Sequence, residues 1–189
     1  MNFDLDNALR RLKSTKQIAR LVRRPEAALP FVPETPTGGP ELLLDTCVYI
    51  DVLQGRAPRS VQVLLSARLC NHSGVVLAQL THLFGRLDPK DRRSAKVWRE
   101  ISRVVHDMPS HRLSAPSLRA LGEAGILAGV VARLAGVETR RAQALLNDAI
   151  LYVQAVEQAQ IILTRNIRDF DLFDQLLPRN RVLFYDRAD

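Results

Sequence analysis

Apolar residues in the 189-residue chain fall into two kinds of run. Short continuous blocks, Leu42-Leu43-Leu44, Ile161-Ile162-Leu163-Thr164 and Val182-Leu183-Phe184-Tyr185, read as strands buried on both faces. Other stretches space their apolar positions at helical intervals. These predict a helix from 46 to about 53, closed by Gly55 and Pro58, and a second through Val61, Leu64, Leu65 and Leu69. A brief strand at 73–76 leads into a helix through Gln79, Leu80, Leu83 and Phe84, stopped at Gly85. Asp88-Pro89 opens a charged helix to about His106, with Val97, Trp98, Ile101, Val104 and Val105 as its apolar face. After a short strand at 112–114, Ala115-Pro116 opens a helix to about Leu134, and helices follow at about 140–158 and 167–176. Strands alternating with helices predict βα units: an α/β fold with a central parallel sheet flanked by helices.

The first forty residues have a different texture. Leu5, Leu9, Leu12, Ile18, Leu21 and Val22 suggest one helical stripe over 1–24. Pro25, Pro30, Pro33, Pro36, Gly38, Gly39 and Pro40 then predict an irregular passage. The expected division is a basic, partly helical N-terminal arm at 1–40 and one domain at 41–189. The arm reads as a mobile leader or as a surface for nucleic acid or a partner.

Charge permits a nucleic-acid partner without identifying one. Lys+Arg number 27 against 20 Asp+Glu, for a net +7, and only four of the cations are Lys. Arginine excess suits phosphate, which the guanidinium fork grips with two hydrogen bonds; GC-rich codon usage is the other explanation. No apolar stretch approaches a membrane span, and the acidic Met-Asn-Phe-Asp-Leu-Asp start is unlike a secretory leader. Cys47 and Cys70 are too few for a disulfide framework or a zinc site. A reduced, cytoplasmic protein is expected.

In parallel sheets, sites form where strands end at their carboxyl edge. The strand at 42–44 ends at Asp45, and the strand at 161–163 leads to Thr164, Asn166 and Asp169. Asp148 sits among Leu145, Leu146, Ala149 and Ile150, a setting unfavourable for a lone carboxylate. Converging carboxylates repel unless a cation neutralises them, and an all-oxygen set points to Mg²⁺ or Mn²⁺ rather than zinc. Each residue also has a plainer reading: Asp45 as a helix cap, Asp169 and Asp171 as first-turn acids.

Four segments, in order, carry a resemblance: Leu-Leu-Leu-Asp-Thr-Cys-Val-Tyr-Ile-Asp (42–51), Val-Val-Leu-Ala-Gln-Leu-Thr-His-Leu-Phe-Gly (75–85), Leu-Asn-Asp-Ala-Ile-Leu (146–151) and Leu-Thr-Arg-Asn-Ile-Arg-Asp-Phe (163–170). Together they resemble the PIN-domain nucleases, and among them the VapC toxins of toxin–antitoxin pairs, over roughly 41–185. The resemblance implies a PIN-like fold and an Mg²⁺- or Mn²⁺-dependent endoribonuclease, with RNA as substrate, a VapB-like antitoxin partner and a homodimer. It implies metal-binding roles for Asp45 and Asp148, with Asp169 or Asn166 as the fourth position. Thr46 and Thr164 match supporting hydroxyls, and Arg165 a phosphate contact. The antitoxin-facing surface is expected on the helices after Asp45 and before Gly85.

One position departs from the pattern. Gln79 stands where the family carries glutamate, and a neutral amide adds no charge and no base. Three readings follow: an engineered inactivation, a naturally attenuated nuclease, or a site where another acid such as Asp51 substitutes. The competing function is therefore a PIN-fold module that binds RNA or an antitoxin without cleaving. A DNA-directed nuclease fits this size less well. His72, His82, His106 and His111 show no metal-ligand spacing; His82 falls one turn from Gln79. Arg86, Lys90, Arg92, Arg93, Lys96, Arg99 and Arg103 form either an RNA-steering stripe or a solvated helix face.

Overall fold

The computed structural model describes residues 3–188. Five parallel strands form the sheet, in the order β3-β2-β1-β4-β5: β1 (Leu42–Leu44), β2 (Cys70–Ser73), β3 (Leu113–Ser114), β4 (Ile161–Thr164) and β5 (Val182–Phe184). The chain runs outward from β1 to β3, then returns to β4 on the other side of β1. That reversal opens a crevice between the carboxyl ends of β1 and β4. The two strands pair with Leu42 opposite Ile161 and Leu44 opposite Leu163, so Asp45 and Thr164 emerge side by side. Leu42, Leu43, Ile162 and Leu163 have no solvent exposure, as expected of a sheet covered on both faces.

Eight helices accompany the sheet among the described residues: α1 (Leu5–Leu12), α2 (Thr46–Leu53), α3 (Arg59–Ala67), α4 (Gly74–Arg86), α5 (Arg92–His106), α6 (Leu118–Ala135), α7 (Ala142–Glu157) and α8 (Ile167–Leu176). None is long and apolar enough to cross a membrane.

The strand expected at 73–76 lies three residues earlier. The Ser73 side chain accepts from Val75 N–H, which caps α4 and draws the two valines into its first turn. The true strand, Cys-Asn-His-Ser, is polar, yet its buried groups are paired. Asn71 donates to Glu41, His72 bonds the Tyr49 hydroxyl and Ser73 donates to Gln154. The charged helix starts later than expected, at Arg92, because Asp91 rather than Asp88 caps it. Of its residues only Ile101 is buried, so its basic stripe is solvated.

The expected helical stripe over 1–24 is also corrected. The helix ends at Leu12, where Lys13 turns left-handed at φ 48°, and Ile18 and Val22 are exposed. The rest of the arm is nevertheless fastened to the domain. Gly122 leaves room for the Phe3 ring, since a Cβ there would come within 2.3 Å of it. Arg11 bridges to the buried Glu123 of α6 at 2.8 Å. Leu21 N–H donates to Leu134 carbonyl. Arg24 donates through its backbone N–H and Nε to Asp171, and through Nη2 to Asp174, both buried in α8. Val32 N–H donates to Phe184, and Phe184 N–H to Pro30, covering the β5 edge that would otherwise be open.

Arg24→Ala should therefore cost about 3 kcal/mol, because it strips two buried carboxylates of their cation. Chemical denaturation and limited proteolysis check this: the expected outcome is a lower midpoint with cleavage within 13–40. Arg24→Lys should recover only part of the loss, since it lacks the fork.

Candidate active site at the carboxyl edge of the sheet

Asp45 leaves β1 and caps α2. Its Oδ1 accepts from Thr46 N–H at 2.6 Å, and its Oδ2 accepts from Thr164 Oγ1 at 2.6 Å and Cys47 Sγ at 3.1 Å. Thr164 Oγ1 accepts in turn from Asn166 N–H at 2.9 Å. Asn166 caps α8, and its side-chain Nδ2 donates to Asp148 at 2.9 Å and to Asp169 at 3.2 Å. Thr46 donates its hydroxyl to Gln79 Oε1. One hydrogen-bonded chain thus joins Gln79, Thr46, Asp45, Thr164, Asn166, Asp148 and Asp169. The structure brings all these expected residues to one edge.

Asp148 is the seventh residue of α7, two turns into the helix rather than at its start. Burial, then the charges of Asp45 and Asp169, push its carboxyl up to about 9. Burial also raises Asp45, against the hydrogen bonds from Thr164, Cys47 and Thr46. Cys47 is itself driven up by burial and the Asp45 charge, so it stays a thiol and a donor.

Arginine separates these acids into two groups. Arg141, at the start of α7, reaches both oxygens of Asp169, at 2.8 and 3.1 Å. Glu123 has Arg11 and Arg119, and Asp171 and Asp174 share Arg24. Asp51 is fully buried and bound by Arg165 and Arg187, each at 2.9 Å, and by the Tyr185 hydroxyl. Burial raises Asp51, but these donors outweigh it and leave its carboxyl below the usual range. Among the described residues, only Asp45 and Asp148 of the acids just named form no ion pair within 4.0 Å.

One expectation changes. Asp51 is committed to its own ionic knot and does not substitute for Gln79. Arg165 gives its Nε to Asp51 and its side chain stays about a third exposed. Arg141 escaped the sequence reading, since nothing distinguishes it among so many arginines. His82 is exposed on α4, one turn from Gln79. Both border an open groove of about 650 Å³ that also reaches Val75, Gln143, Asn147 and Ile150.

Among the described residues, no three His, Cys, Asp or Glu side chains stand arranged to hold a metal ion. Arg141 accounts for this in part, because it already occupies Asp169. The remaining donors are oxygens of Asp45, Asp148, Asn166 and Gln79. As oxygens they would suit a hard cation, whose charge would favour the ionised forms of Asp45 and Asp148 that burial disfavours.

The architecture is a five-stranded parallel sheet between helices, with acids at its carboxyl edge. Three solved structures share it at low sequence identity. VapBC2 from Rickettsia felis bound to a promoter DNA fragment matches with TM-score 0.52 and 16% identity, over 77% of this chain and 98% of that one. FitAcB from Neisseria gonorrhoeae gives 0.53 and 18%, over 76% and 96%. DNA-bound VapBC from Salmonella typhimurium gives 0.50 and 17%, over 76% and 97%. No family model and no curated protein matches the sequence.

Asp148 keeps its proton to about pH 9 when folded and releases it near pH 4 when unfolded. The folded state then binds more protons across that window, and stability falls as pH rises through it. Asp148→Asn removes this burden. In chelator-treated buffer it should stabilise the protein by on the order of 2 kcal/mol at pH 7 and have little effect near pH 4. Denaturation series at the two pH values test this; a loss of stability at pH 7 refutes it.

Proposed function

We propose that this protein is a cytoplasmic Mg²⁺- or Mn²⁺-dependent endoribonuclease, the toxin of a toxin–antitoxin pair. The observation that carries the reading is the pairing pattern: buried acids elsewhere have arginines, while Asp45 and Asp148 at the crevice have none. Asp45 and Asp148 would hold the cation, with Asn166 and Gln79 as neutral oxygen donors and Asp169 behind Asn166. A cation so held would lower the pKa of a bound water and offset charge building on the phosphate. Thr164 and Thr46 fix the Asp45 carboxylate, and Asn166 fixes Asp148, so neither has to be reoriented on binding. The cations of α5 add to the field that draws a polyanion inward. The neighbours in fold are VapBC and FitAcB structures, which supports a VapB-like antitoxin for this chain; a homodimer rests on the family resemblance alone.

A second reading has its own support. Gln79 is neutral and Arg141 occupies Asp169, so the crevice offers two free carboxylates. This favours a module that binds RNA or antitoxin and cleaves weakly or not at all.

One experiment separates them. With Mn²⁺ and single-stranded RNA, the nuclease reading expects cleavage that Asp45→Asn lowers at least a hundredfold, and Mn²⁺ stabilisation that Asp148→Asn abolishes. Gln79→Glu should tighten Mn²⁺ by about 1–3 kcal/mol, the scale of one charge-assisted interaction. RNA binding without cleavage, in the parent and in Gln79→Glu, establishes the binding module. No RNA binding and no Mn²⁺ stabilisation end the nuclease reading.

A further inference from the structure

A second cavity adjoins the carboxylate cluster on the arm side. It encloses about 230 Å³ and is walled by Arg20, Arg23, Arg141, Arg168 and Asp169, with Gly136 at its edge. Four arginines against one carboxylate make the lining cationic, with Leu21, Val137 and Leu172 among its apolar neighbours. Arg141 is already bound to Asp169, which masks the one negative charge facing the void. Among the described residues, Arg20, Arg23 and Arg168 have no carboxylate within 4.0 Å. Asp51, Glu123, Asp171 and Asp174 each draw an arginine inward; Arg20, Arg23 and Arg168 stay exposed and gather at this one cavity without an acid.

Two of the three come from the arm, and their positions are set by anchors. Leu21 N–H is held by Leu134 carbonyl, and Arg24 by Asp171 and Asp174. Arg20 and Arg23 flank these tethers, so the backbone that presents them is fixed before any ligand arrives. Arg168 lies in the first turn of α8, beside Asp169. The volume falls below the ~300 Å³ at which drug-sized ligand pockets begin. It suits a tetrahedral oxyanion, and guanidinium forks match that shape bidentately.

We propose that this pocket is a phosphate subsite for an RNA backbone, built jointly by the N-terminal arm and α8. It would take a phosphate flanking the one at the carboxylate crevice. Asp169 belongs to both places: it walls the pocket and shares the Asn166 amide with Asp148. The choice of RNA as ligand rests on the nuclease reading above; the affinity of the pocket for phosphate does not.

The test has two arms. In the first, arginine Nε–H resonances of the full chain are followed by NMR while inorganic phosphate is added. Signals lost in Arg20→Ala, Arg23→Ala and Arg168→Ala should shift saturably in the wild type. In the second, single-stranded RNA binding is measured by anisotropy across a salt series, with chelator present to prevent cleavage. Arg20→Ala/Arg23→Ala/Arg168→Ala should weaken binding at least tenfold and lower the salt slope by about 0.7, the value for one phosphate of a single strand. The corresponding lysine variants should keep most of the slope and lose part of the affinity. Thermal denaturation confirms that the triple variant stays folded. If phosphate leaves these resonances unmoved, or the triple variant binds RNA as the wild type does, the inference is overturned while the nuclease reading stands. If the wild type binds an acidic peptide and no RNA, the nuclease reading falls, and the phosphate titration alone then judges the pocket.

Discussion

The amide of Asn166 donates to Asp148 and to Asp169 at once, and the crevice depends on that shared bond. It holds together two carboxylates that repel each other, from two different helices. Its geometry follows from the sheet. β1 and β4 are parallel neighbours in register, so Asp45 and Thr164 leave the sheet together. Thr164 then fixes Asn166 through its hydroxyl. Extended backbone, strand register and one helix cap therefore place three acids within electrostatic reach of one another. The cost is visible in Asp148, whose proton is retained to about 9.

The rest of the molecule shows how this chain handles buried acids when no crevice is involved. Asp51, Glu123, Asp171 and Asp174 are nearly or wholly buried, and each is met by arginine. Desolvating a carboxylate costs several kcal/mol unless a well-placed cation recovers it. Each of these arginines is matched by a buried acid, so the net positive charge is left to the outer surface. Arg11, Arg24, Arg165 and Arg187 join the arm, the two halves of the sheet and the C-terminal segment. Arg20, Arg23 and Arg168 belong to the arginines left unpaired, and what sets them apart is that they gather at one cavity.

The order of elements could be read from apolar spacing alone, and so could the two strand ends that meet at the crevice. Buried parallel strands and amphipathic helices leave periodic signatures. Cys70–Ser73 left none, because that strand is polar and its burial depends on partners far away in sequence, Glu41, Tyr49 and Gln154. The same holds for function. Asp45, Asp148, Asn166 and Asp169 stand at positions that strand ends and an apolar helix face make conspicuous. Arg141 does not, and neither does the commitment of Asp51 to Arg165 and Arg187, since ion-pair choice is settled in three dimensions. The anchoring of the arm is hidden for a similar reason. Its prolines mark irregular backbone correctly, but irregular is not loose: Arg24 and the Pro30–Val32 passage are anchored by groups some 150 residues away.

Gln79 and Arg141 act in the same direction on the crevice. An amide in place of a carboxylate removes one negative charge, and a guanidinium on Asp169 offsets another. A cation entering the site meets two uncompensated carboxylates rather than four. Electrostatic attraction scales with those charges, so affinity for the ion is lower, but so is the repulsion the empty site must bear. An added glutamate at 79 would sit one residue away from Asp45, through the hydroxyl and the backbone N–H of Thr46, and would raise both quantities together. If the crevice takes a phosphate as proposed, a site lowered in charge this way would repel it less, and the arginines beside Asp169 would act on the same polyanion. Weak hold on a cation and easy approach of the backbone would then be two consequences of one charge distribution.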